Sequence, residues 1–136
     1  MMQFLVGKWR QFDEFIKKRN RLRLEARRVS VTDQGFDLID PKANYRSVSW
    51  TKVYSINAFK RDLFCLDMIC FEFFQDGLES PIEVNEQMEG WQVLLDILPS
   101  KFSGFDLNWY AKVAQPPFAP NFTELWKRRG VMLSKA

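Results

Sequence analysis

Residues 47–75 read SVSWTKVYSINAFKRDLFCLDMICFEFFQ, and this stretch decides the fold. It is the longest apolar region of the chain, rich in β-branched, aromatic and sulfur-bearing side chains, and a short polar interruption, Lys60-Arg61-Asp62, divides it. That composition predicts two adjacent antiparallel strands, residues 48–59 and 65–74, in the middle of a sheet. On the second strand both faces are apolar. Ile69, Phe71 and Phe73 fall on one, and Met68, Cys70 and Phe74 on the other, which reads as an interior strand covered on both sides. On the first strand the alternation changes phase between Trp50 and Val53, which predicts a bulge at Thr51-Lys52. Asp62 and Asp67 flank the turn at Leu63-Phe64. Two carboxylates this close are candidates for acid–base work or a metal, and equally for accepting backbone N–H groups at the turn and strand start.

Upstream of this centre, Asp40-Pro41-Lys42-Ala43-Asn44 reads as a turn. Before it, the alternation of Leu22, Leu24 and Ala26, then Val29 and Val31, predicts a hairpin of residues 24–32 with 35–39, closed by Asp33-Gln34-Gly35. At the N-terminus Leu5, Trp9, Phe12 and Ile16 are spaced four, three and four apart. That is helical spacing, with Lys8, Glu14, Lys17 and Lys18 on other faces, and it predicts an amphipathic helix within residues 1–21. Downstream, Asp76-Gly77 signals a turn before a strand at Ile82–Asn85. A helix follows, with Trp91, Leu94, Leu95 and Leu98 on its core face and an end at Pro99 or just after. Glu86 and Glu89 are expected near its positive N-terminal end. A second short helical turn spans 107–113. The segment 121–128 reads as a last helix or strand that packs Phe122, Leu125 and Trp126 on the body, and the tail from 129 is expected to fray.

A chain of 136 residues fits one domain with a proper hydrophobic core. The 13 Phe, 5 Trp and 3 Tyr are expected to fill that core, with Trp50, Trp109 and Trp126 as candidates for contact anchors. No window reaches the length of a membrane span, and the first residues lack the order of a secretory signal. A cytoplasmic location is the default expectation. Cys65 and Cys70, five positions apart on one strand, point to opposite faces and read as free thiols.

The chain contains no histidine, which removes the commonest general base and metal ligand. Its 6 glycines form no phosphate loop. Asp62, Asp67, Glu83 and Glu86 are the only candidates for acid–base roles, so neither enzyme activity nor a metal or cofactor is expected. Charge is unevenly placed. Residues 1–28 hold nine Lys and Arg against three acidic residues, a local net charge of +6, while the remainder carries eleven basic and fourteen acidic residues, net −3. The basic window includes Lys17, Lys18, Arg19, Arg21 and Arg23. It reads either as a patch for nucleic acid or anionic lipid, or as the solvated end of a helix.

Several groups of residues recur together in a known setting: Val48-Ser49-Trp50, residues 56–64 (INAFKRDLF) with Asp67 and Ile69-Cys70, residues 83–91 (EVNEQMEGW), Trp109, Pro116-Pro117-Phe118 and Asn121-Phe122-Thr123. With these the chain resembles an uncharacterised family of small bacterial proteins over residues 48–128. The resemblance implies a pleckstrin-homology-like fold: an antiparallel sheet of five to seven strands or a partial barrel, with a helix after the last strand. Some members resemble immunity proteins of bacterial toxin systems, so a non-enzymatic partner for a cognate toxin is the leading expectation. Glu79, Glu83, Glu86 and Glu89 would then supply an acidic patch against a basic toxin. The alternative is a membrane-surface or adaptor module that binds anionic lipid or nucleic acid through Lys17, Lys18, Arg19, Arg21 and Arg23.

Overall fold

The computed structural model describes residues 26–63, 66–117 and 119–129. The expected N-terminal helix with its basic residues, Cys65 and the tail from 130 lie outside the described residues. Strands β1 (Arg28–Val31), β2 (Gly35–Ile39) and β3 (Tyr45–Ser49) lead through a single 3-10 turn, Trp50–Lys52, into β4 (Val53–Asp62) and β5 (Asp67–Gln75). Then follow β6 (Ile82–Asn85), helices α1 (Trp91–Lys101) and α2 (Trp109–Ala114), and β7 (Thr123–Lys127). The architecture is α+β, as expected. The sheet organisation differs from the expectation of one sheet or a partial barrel. The described residues form two antiparallel sheets, one ordered β1-β2-β3 and the other β6-β5-β4-β7, and among these residues neither closes. Nor is the helix last: β7 follows both helices and pairs with β4.

The turns form where their chemistry predicts. Thr32 Oγ1 accepts from the N–H groups of Gln34 and Gly35 at 3.2 and 3.1 Å. Asp40 Oδ1 accepts from Lys42 and Asn44 at 2.9 and 3.0 Å, closing the loop between β2 and β3. Gly35 is fixed by contact, since a Cβ there would lie 1.7 Å from the Val48 carbonyl oxygen across the strand pair.

The expected single strand over 48–59 is two strands in different sheets. The phase change at Trp50 is a 3-10 turn that carries the chain from one sheet to the other, in place of a bulge within one strand. Two polar side chains hold that junction. Gln75, 5% exposed at the end of β5, accepts from Ser49 N–H at 3.1 Å and donates to the Ser47 carbonyl at 2.9 Å. It thus supplies β3 with the hydrogen bonds that a neighbouring strand would make. Arg128 donates to the Thr51 and Val53 carbonyls at 3.3 and 3.2 Å and meets Asp76 at 3.0 Å.

The core lies between the inner face of the four-stranded sheet and a layer made of the three-stranded sheet and the helices. Aromatic rings build it. Phe36 meets Phe73 at 4.9 Å, Phe71 meets Trp91 and Trp109 at 4.8 and 4.9 Å, and Trp50 meets Phe102 at 5.8 Å. α1 buries Trp91, Leu94 and Leu98 with Leu95 at its margin, and ends two residues past Pro99. Its N-cap is Gly90, at φ 93°, where a Cβ would lie 2.0 Å from the Val29 carbonyl oxygen. No acidic residue occupies its first turn; Glu89 directly precedes the N-cap, and Glu86 accepts from the Ile69 N–H at 2.8 Å. A buried lysine fastens α2: Lys60 Nζ donates to the carbonyls of Ala114 and Pro116, each at 2.8 Å, and pairs with Asp67 at 3.1 Å.

Candidate functional site

Alternation gives the four-stranded sheet two unlike faces. The inner face carries Ile56, Ala58, Phe71, Phe73, Ile82, Val84 and Leu125, all within the core. On the other face Tyr54, Asn57, Glu72, Phe74 and Glu83 are partly or well exposed, while Phe59, Cys70 and Asn85 are buried. Strand register sorts its side chains into transverse rows. Lys127, Ser55 and Phe74 stand across β7, β4 and β5. Next come Glu124, Asn57, Glu72 and Glu83, one from each of the four strands. Beyond them lie Phe59, Cys70 and Asn85, then Arg61 and Met68.

The second row sets the electrostatics. Three glutamates and an asparagine cross the whole sheet in line. Like charges directly opposite on paired strands repel, and Glu72 faces Glu83 in that way. Partial burial and the Glu83 charge raise the Glu72 carboxyl above its ordinary value, while a hydrogen bond from Asn57 and the Arg61 charge oppose the shift. Arg61 neutralises Glu83 through two bonds, Nε to Oε2 at 2.9 Å and Nη2 to Oε1 at 2.6 Å. To make them the guanidinium reaches from β4 across β5, and it passes 5.1 Å from the Phe59 ring centroid. Cys70, on β5 between these partners, is fully buried; desolvation first, then the Glu83 charge, push its thiol up to about 12. It is protonated at neutral pH, and it is not a nucleophile.

Aromatic rings frame the row on both sides. Phe122 stacks on Phe59 with centroids 4.9 Å apart and is itself 66% exposed. Tyr54 and Phe74 stand 6.1 Å apart at the other end of the face, with Tyr54 37% exposed. An acidic stripe edged by accessible rings can receive a basic segment, with the charges steering and the rings supplying contact area.

Of the glutamates expected to form an acidic patch, only Glu83 lies on this face. Glu86 Oε1 accepts from the Ile69 N–H at 2.8 Å, extending the β5–β6 ladder. Glu89 is exposed beside β1, its carbonyl taking the Val29 N–H at 2.8 Å, and Glu79 is exposed in the loop between β5 and β6. Glu72 and Glu124 complete the row and were missed. Their signal is a carboxylate at an outward position of an otherwise apolar strand. Trp50 and the partly buried Trp109 belong to the core, and Trp126 packs on Phe102 at 4.7 Å while its indole N–H donates to the Ser103 carbonyl at 2.9 Å. None of these three is an exposed anchor.

Open grooves also lie elsewhere on the surface of the described residues. One, of about 600 Å³, lies at the sheet junction and includes Gln34, Asp37, Ser47, Lys52 and Asp76. Another, of about 870 Å³, lies along the end of β7 by Asp106, Trp126, Lys127 and Arg129. In the first, Ser47 Oγ donates to Asp37 Oδ1 at 2.6 Å. Among the described residues no three His, Cys, Asp or Glu side chains are placed to hold a metal ion, and no helix is long and apolar enough to cross a membrane. The chain matches no protein-family model, no curated protein and no solved structure.

Proposed function

We propose that this protein is a non-enzymatic binding protein whose outer sheet face receives a basic protein partner, and that the partner is a toxin it neutralises. The observation that carries this reading is the transverse row Glu124, Asn57, Glu72 and Glu83, edged by the exposed rings of Phe122 and Tyr54. A row that includes directly opposed, partly buried carboxylates works against stability and suits the capture of positive charge. The scaffold is rigid where it matters, because all four strands contribute and both central strands are packed on the core. Toxin neutralisation rests further on the resemblance of residues 48–128 to an uncharacterised family of small bacterial proteins, some of which resemble immunity proteins.

The test is capture from the native host with the tagged full chain, followed by co-expression of each captured protein with and without this one. A captured protein that is toxic alone and harmless in co-expression supports the reading. The double substitution Glu72→Lys with Glu124→Lys is expected to abolish both capture and rescue, while Glu79→Lys leaves them intact. Recovery of only lipid or nucleic acid, stripped by salt, overturns the reading and assigns function to the basic residues 17–23.

A further inference from the structure

Strand β3 is an edge of the three-stranded sheet, and its ladder shows which backbone groups face outward. The Trp50 N–H donates to the Gln34 carbonyl and the Asp40 N–H to the Asn44 carbonyl, each at 2.9 Å. In register with these bonds, Val48 and Arg46 turn their backbone groups toward Phe36 and Leu38 of β2. The N–H and carbonyl of Tyr45 and of Ser47, and the N–H of Ser49, therefore point away from it. Gln75 takes the Ser49 N–H and the Ser47 carbonyl at 3.1 and 2.9 Å. Among the described residues nothing bonds the Ser47 N–H or the outward backbone of Tyr45. The groove of about 600 Å³ at the sheet junction takes in this edge at Arg46 and Ser47, and is lined as well by Lys52, Gln75, Asp76 and the exposed Leu78. Its charges are unequally engaged. Asp76 is paired with Arg128 at 3.0 Å, and Asp37 accepts from Ser47 Oγ at 2.6 Å. Arg46 and Lys52, both exposed, have no ionic partner among the described residues.

We infer that the open edge of β3 takes an extended acidic peptide of another protein, which adds to this sheet as a fourth strand beside Gln75. Main-chain bonds to Tyr45 and the Ser47 N–H continue the ladder that the Gln75 amide begins, and Arg46 and Lys52 select for glutamate or aspartate in the added strand. An edge strand with unbonded backbone groups is a template for such addition. A second copy of this chain fits the edge less well, because pairing two β3 edges brings two Arg46 and two Lys52 side chains to one interface. Residues 1–28 of the chain itself, at a net charge of +6, are mismatched in the same way. This surface shares no residue with the glutamate row, and the inference stands apart from the reading of that row as a partner site.

Two blocked hexapeptides, one alternating valine with glutamate and one alternating valine with lysine, are the probes, titrated into the isotope-labelled full chain. The glutamate peptide is expected to bind about tenfold or more tightly than the lysine peptide. It should shift the amide signals of Tyr45, Ser47 and Leu78, and slow hydrogen exchange at the Tyr45 and Ser47 N–H groups about tenfold or more. A glutamate peptide N-methylated at every amide keeps its charge but cannot add as a strand, and it is expected not to bind. These arms use the unaltered protein. Arg46→Glu with Lys52→Glu is expected to reverse the preference between the two charged peptides, and the dispersion of the amide spectrum reports whether that variant folds. No shift with the glutamate peptide at about 1 mM, equal binding of the lysine or the methylated peptide, or shifts centred away from β3 overturn the inference. So does slow exchange of the Tyr45 and Ser47 N–H groups without peptide, which would make the occupant a second copy where sedimentation shows a dimer, and the chain's own segment where it shows a monomer.

Discussion

Glu72 stands directly opposite Glu83 in a pair of strands whose other outward residues are largely apolar or neutral. Because burial and the Glu83 charge raise its carboxyl, the native state holds more protons than the unfolded chain between the ordinary and the raised values. Stability therefore falls as pH rises through that window, and the full penalty is present above it. Glu72→Gln is expected to stabilise the fold at pH 7 by about 0.2–1 kcal/mol. The gain should vanish below about pH 4, where the glutamate is protonated in both states. Urea unfolding of both proteins at the two pH values checks this, and an equal gain at low pH would refute the electrostatic account. The same substitution is expected to weaken partner capture, so stability and binding pull in opposite directions at this residue. Glu72 itself was legible only as an odd polar letter inside an apolar strand. Its neighbours Glu124 and Glu83 are 41 positions apart in sequence, and strand register alone places them in one line with it. That is why sequence reasoning assembled a different patch from glutamates close together in the chain.

At the scale of the element, β5 ends in a side chain that behaves like backbone. Gln75→Leu keeps the volume and removes both bonds to β3, leaving the Ser49 N–H and the Ser47 carbonyl without them. A loss of about 2 kcal/mol is expected. Gln75→Glu, which can accept from Ser49 but cannot donate to Ser47 when ionised, should fall between the two; urea midpoints order the three proteins. β4 carries a second polar fastening. Lys60→Met removes the buried donor from the Ala114 carbonyl, leaves the Pro116 carbonyl with Asn121 Nδ2 alone, and breaks the pair with Asp67, and is expected to cost about 3–5 kcal/mol. An unfolding midpoint within experimental scatter of the parent would show that α2 is held by packing alone. The elements themselves were largely readable. Turn chemistry at residues 32–35 and 40–44 delimited β2, a run apolar on both faces marked β5, the Asp76-Gly77 turn announced β6, and helical spacing gave the buried face of α1. The passage between sheets was not readable, because Trp50, Thr51 and Lys52 keep a strand-like composition while the backbone turns. What separates a bulge from a change of sheet is the partner on either side, here Gln75 and Arg128, and both lie far along the chain.

For the molecule as a whole, the sequence of residues 1–28 is basic, while the outer sheet face carries Glu72, Glu83 and Glu124 with Arg61 and Lys127 beside them. Association with a basic partner steered by that face is expected to slow about tenfold or more between low and high salt, with dissociation changing less. Stopped-flow association at a series of ionic strengths measures it, and a salt-independent rate would exclude the row as the steering element. Topology adds a consequence of another kind. β4 lies in the middle of the sheet, yet its second neighbour, β7, is the last strand of the described fold and is made after two more strands and both helices. During synthesis the edge of β4 and the ammonium of Lys60 therefore emerge well before the segment that covers them. A nascent chain that has reached β6 presents an open template for any passing strand. Only translation through Lys127 removes that hazard, so slow codons between β6 and β7 would lengthen the period in which the growing protein depends on chaperones.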